Sequence, residues 1–114
     1  MSITAEVIKT KQLNLTTMKK SILAEKSFDF ARRIVLMYAH VSRNKNEFVI
    51  SKQCLRSGTS IGALVREGYY AESRVDFAHK MSIVLKEANE TSYWLQLLEA
   101  TGYLDSKLYH SIHQ

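Results

Sequence analysis

Several groups of residues have types and spacings that could do chemistry. His110 and His113 sit three apart near the C-terminus, a spacing that puts two imidazoles on one helical face within reach of a metal ion. Glu87 and Glu90 share that spacing, as carboxylates do in di-iron bundles, but no Glu-x-x-His accompanies them. Cys54 is the lone thiol, and a thiol is a nucleophile only when something ionises it. The string GTSIG, residues 58–62, is glycine-bearing but lacks the lysine and spacing of a phosphate-cradling loop. Tyr93 and Trp94 present ring faces on which bases could stack.

Each group has a plainer reading. Histidines on a terminal surface helix are solvated, a cysteine on an apolar helix face is core, and aromatics at helical spacing are core or interface. No nucleophile, base and orienting group come together in the pattern. The expectation is of no catalytic residue, no metal, no cofactor and no enzyme.

Charge offers another chemistry. The 114 residues carry a net charge of +5. Residues 1–20 hold Lys9, Lys11, Lys19 and Lys20 against Glu6, so most of the excess lies in that stretch and the remaining body is only mildly basic. The outward cations of the body are Lys26, Arg33, Lys52 and Arg66. Together with the four lysines they form a diffuse footprint for phosphate, whose binding falls steeply with salt as counterions are released. No recognition helix or RNA module is visible.

Proline is absent and there are four glycines, so the residues that break helices and make hairpins are scarce and helices are expected throughout. One cysteine allows no intramolecular disulfide, and no apolar run has the length of a signal peptide or a membrane span. The sequence therefore reads as that of a cytoplasmic protein with no membrane partner.

Residues 1–20 show no sustained helical period and read as a flexible basic arm, leaving residues 21–114 for a single bundle domain. A first helix is expected from Ser21 to Arg43, with Leu23, Ala24, Phe28, Ala31, Ile34, Val35, Tyr38 and Val41 inward and Asn44–Asn46 as the turn. Ser51 is the expected N-cap of a second helix whose inner face holds Ile50, Cys54, Gly58, Ile61, Val65 and Gly68. Gly58 and Gly62 each cost about 1 kcal/mol of helix propensity relative to alanine, which predicts a close approach by a neighbouring helix. Ser73 and Asp76 resemble a capping box for the third helix, which buries Phe77, Met81, Val84, Ala88, Leu95 and Leu98 and stops at Gly102. A short fourth helix begins near Asp105.

The third helix carries a second line of residues, Ile83, Glu87, Glu90, Trp94 and Leu97, and the back of the second helix carries Arg56, Ser60, Ala63 and Glu67. A monomeric bundle buries one stripe per helix. The two lines are expected to meet, within or between subunits, with Arg56 against Glu87 and Glu90; ordinary solvated ion pairs are the alternative.

The strings SKQCLRSGTSIGALVREG, residues 51–68, and DFAHKMSIVLKEANETSYWLQLLEATGYL, residues 76–104, resemble a known family, and KSFDFARRIVLMY before them fits as well. The chain is similar over residues 21–104 to the bacterial four-helix bundle proteins encoded by intervening sequences within large-subunit ribosomal RNA genes. The resemblance implies an all-α, antiparallel up-and-down four-helix bundle assembled as a homopentameric ring. A related group, the accessory variability proteins of diversity-generating retroelements, implies nucleic-acid binding through a basic surface, here of structured RNA or duplex DNA. A homo-oligomeric scaffold for a protein partner is the other expectation. Two departures stand out. Leu64 occupies a position where the family has asparagine, and the fourth helix is shorter than the family's, leaving its cover to another subunit, to residues beyond Gln114, or to nothing.

Overall fold

The computed structural model describes residues 3–6 and 17–113, and of residues 17–21 the backbone alone. Lys9 and Lys11 lie outside the described residues, as do the side chains of Lys19 and Lys20. Every regular element among the described residues is helical. Residues 3–6 form one helical turn; four helices follow, α1 (Thr17–Lys45), α2 (Ile50–Tyr69), α3 (Arg74–Ala100) and α4 (Ser106–His113). At about 1.5 Å rise per residue, the 29 residues of α1 set the long axis of the molecule, which measures 44 Å.

The helix pair α1 and α2 is fixed by glycine. A Cβ on Gly58 would lie 2.9 Å from Cγ1 of Ile34, and one on Gly62 would lie 3.5 Å from the carbonyl oxygen of Ser27. At Gly58 the missing side chain makes room for Ile34, which accounts for a glycine in mid-helix; at Gly62 a Cβ would meet the Ser27 backbone only at ordinary contact distance.

That contact also sets the rotation of α1, and here the sequence pattern misleads. Ser27 and Ile34 face α2, so Leu23, Ile34, Met37 and Val41 are buried. Phe28 and Val35 each follow one residue later, about 100° around the helix, and point outward at 59% and 47% exposure. They were expected inside. Helix α1 also begins at Thr17, four residues before the expected start, since nothing between Thr17 and Ser21 breaks a helix.

The cap of α2 is a second correction. Ser51 does not cap it; the helix opens at Ile50, and the carboxylate of Glu47 accepts the backbone N–H groups of Val49, Ile50 and Ser51 at 3.0, 2.9 and 2.7 Å. Ser51 instead donates its hydroxyl to the Glu47 carbonyl at 2.8 Å. Burial would raise the Glu47 pKa, but the three backbone N–H groups and the Ser51 hydroxyl outweigh it and hold the carboxyl below its ordinary value. Asn46, at φ 56°, turns the chain into this cap.

The remaining boundaries follow expectation. Ser73 Oγ accepts the Asp76 N–H at 3.1 Å. Gly102, at φ 85°, closes α3 with Tyr103 N–H on the Leu98 carbonyl and Gly102 N–H on that of Glu99, the Schellman arrangement.

Helices α1 and α3 both pack on α2 and share its apolar clusters, while α4 packs on α1 and α3. Two apolar clusters result. One joins Ile34, Met37, Val41, Cys54, Leu95 and Leu98 and is sealed by Leu104, Tyr109 and Ile112 from α4 and its approach. The other joins Leu23, Ile61, Val65, Met81 and Val84, beyond the reach of α4, with Leu64 and Ile3 packed against it.

Candidate interaction surfaces

The second line of α3 and the back of α2 meet within one chain. Arg56 reaches across from α2, its Nη2 hydrogen-bonded to Glu90 Oε1 and its Nη1 3.6 Å from Glu87 Oε2. Trp94, one turn beyond Glu90, donates its indole N–H to the same Oε1 at 3.2 Å. The Trp94 hydrogen bond, ahead of opposing burial and the Arg56 contacts, holds the Glu90 carboxyl below its ordinary value, and the Glu90 bond raises Arg56. Arg56 is 52% exposed and Glu87 13%, and Glu87 Oε2 has an ion-pair partner but no hydrogen bond. The cluster is an intramolecular seam, wet at the arginine and dry at Glu87.

Beneath it Thr91, a buried polar residue the sequence pattern did not single out, donates to the Glu87 carbonyl and sits 2.8 Å from Ser57 Oγ. The other members of the two lines are not gathered there. Ser60 donates to the carbonyl of Ser57, Glu67 lies 3.8 Å from Lys80, and Ile83 and Leu97 are half-buried.

The cations expected to meet phosphate divide into two sets. Lys26 is 3.2 Å from Glu6, and Arg33 is 2.9 Å from Asp29 while donating to the Ser111 carbonyl at 3.2 Å. The Arg32 hydrogen bond, with the charges of Arg33 and Arg32 added, keeps Asp29 ionised below its usual range against desolvation. Lys52 and Arg66 have no carboxylate at ion-pair distance among the described residues; Arg66 lies over the Phe28 ring, 5.6 Å from its centroid.

Sequence reasoning missed the outer face of α1. Phe28, Val35 and Leu36 stand 59%, 47% and 58% exposed over two turns of one helix. Phe48 and Val49 are exposed at the turn into α2. The only sequence signal was the excess of apolar residues around α1, more than one face can bury.

A groove of about 820 Å³ runs between α1 and α3, floored by Phe30, Ile61, Ala88 and Leu95. Ser111 and His113 of α4 bound one end and Ile3 and Thr4 the other. His113 shares a 2.8 Å hydrogen bond with Ser92 and stacks on Tyr109. Cys54 is fully buried, and burial pushes its thiol up to about 12. No group of three potential metal ligands forms among the described residues, and no described helix is long and apolar enough to cross a membrane.

Residues 19–114 match the family described as the 23S rRNA-intervening sequence protein. The chain is also similar to the crystal structure of a protein of unknown function from the S23 ribosomal protein family of Bacteroides thetaiotaomicron. The two are 54% identical, with 79% of this chain and 83% of that chain covered at a TM-score of 0.78. No functionally curated protein matches.

Proposed function

The chain belongs to the 23S rRNA-intervening sequence protein family, and from that premise we propose that it is a non-enzymatic up-and-down four-helix bundle that self-associates into a homo-oligomeric scaffold. The observation that carries this reading is the exposed row Phe28, Val35 and Leu36 on α1. Three large exposed apolar side chains over two turns, with Arg32 between Phe28 and Leu36, are exposure of the kind that marks a contact surface. A homopentameric ring is the assembly proposed, with the α1 row at the contact between copies. The cations of α1 support the preference for protein over nucleic acid, because Lys26 and Arg33 already face carboxylates.

Apolar contacts survive screening, so self-association should persist at about 1 M salt, where the Debye length is near 3 Å. Sedimentation of the intact chain across concentrations at low and high salt tests this. Dissociation at high salt would leave charge, and not the α1 row, as the cause.

A second reading rests on Lys52 and Arg66, which lack carboxylate partners among the described residues. With the lysines near the N-terminus they would hold RNA or DNA by its phosphates without reading sequence. Anisotropy of labelled duplexes, titrated at several salt concentrations, decides it. Binding that weakens steeply with salt and is lost in Lys52→Glu/Arg66→Glu supports the reading, and no binding at low salt ends it.

A further inference from the structure

The groove between α1 and α3 spans both apolar clusters, with Ser111 and His113 of α4 at one end and Ile3 and Thr4 at the other. Helix α4 covers the apolar cluster around Ile34 and Leu98, then ends at His113. Among the described residues no helix of comparable length lies over the cluster around Leu23, Ile61 and Val84, yet it is not bare. The helical turn of residues 3–6 sits there, with Ile3 packed on the cluster and Glu6 buried at 4% exposure. The Glu6 carboxylate faces Lys26 of α1 at 3.2 Å.

Burying a carboxylate is costly without a cation or hydrogen-bond donors beside it, so the position of Glu6 is selective. Ile3 and Glu6 are three apart, the spacing that puts an apolar and an acidic side chain on one face of a helical turn. We propose that the chain's own N-terminal turn docks in cis across one end of this groove, seated by Ile3 and locked by Glu6 to Lys26. The turn covers in cis part of the cluster that α4 does not touch. This reading is independent of the α1 row, which lies on the outer face of that helix.

Hydrogen exchange of the intact chain tests it, read on segments covering residues 22–30 and 84–92, with residues 47–55 as the control for global unfolding. Glu6→Lys and Lys26→Glu each place like charges together, and each should speed exchange of the two groove segments by about 5- to 30-fold, the change expected when local opening becomes one or two kcal/mol easier. The control segment should not move. The double exchange Glu6→Lys/Lys26→Glu should restore protection, and Ile3→Asp should remove it. Equal exchange in all variants, or a double variant no better protected than the single ones, would overturn the assignment. Protection that rises with protein concentration would seat a second copy's segment in the groove and overturn it as well.

Discussion

Arg56 and Glu90, 34 positions apart in sequence, hold α2 and α3 together through a side-chain hydrogen bond whose acceptor oxygen also takes the Trp94 indole N–H. The carboxylate is positioned by two donors from different helices. Its exposure limits its worth, since the arginine stands half in water.

Arg56→Ala should therefore cost about 1 kcal/mol or less in urea unfolding, the range of exposed pairs. Glu87→Ala removes a carboxylate that is largely buried and short of hydrogen bonds, and should be near neutral or stabilising. Trp94 fluorescence should shift in Glu90→Gln more than in Glu87→Ala, since only Glu90 touches the indole. The opposite ranking would show that Glu87 anchors the seam.

Gly58→Ala adds a methyl where 2.9 Å separates the new atom from Ile34. Helix propensity favours the change by about 1 kcal/mol, and overpacking opposes it by roughly 1–3 kcal/mol, so net destabilisation is expected. Combined with Ile34→Ala, the two costs should fall short of additive in a double-mutant cycle. A stabilised Gly58→Ala protein would mean that α1 and α2 are not in close contact there.

Glu47 makes stability depend on acid. Its pKa is depressed in the folded chain, so its contribution is present above the unfolded value of 4.5 and lost as pH falls through the folded one. Glu47→Gln should lower stability by about 1 kcal/mol at pH 7, in the range of cap and helix-dipole contributions. The difference from the unaltered protein should shrink as thermal unfolding is repeated from pH 6 down towards pH 3. A gap that stays constant over that range would remove charge as the reason.

Much of this architecture could be read from residue spacing, and the failures have physical causes. In α2, small residues, two glycines and Cys54 fall on one side and charges on the other, so only one rotation buries the apolar set, and the structure adopts it. In α1, apolar residues occur nearly all round, so periodicity alone does not fix the inner face; Gly58 on another helix, which makes room for Ile34, does. Arg56 with Glu87 and Glu90 was legible because complementary charges on stripes of two helices must find partners. Glu47 escaped notice because its carboxylate reaches forward to a helix that had a serine in an ordinary capping position. The pairing of Glu6 with Lys26 spans 20 residues and follows no helical period, so no local pattern announces it.

The central claim is that the row Phe28, Val35 and Leu36 joins copies of this chain. The most direct test is the light-scattering mass of the intact protein beside that of Phe28→Ser/Val35→Ser/Leu36→Ser, with helicity checked by circular dichroism. The account predicts that the intact chain has a mass well above the 13.1 kDa of one copy, that of a pentamer for the proposed ring, and that the triple variant returns to 13.1 kDa with its helices intact. An intact protein that stays at 13.1 kDa at every concentration, or a folded triple variant with unchanged oligomeric mass, would contradict it.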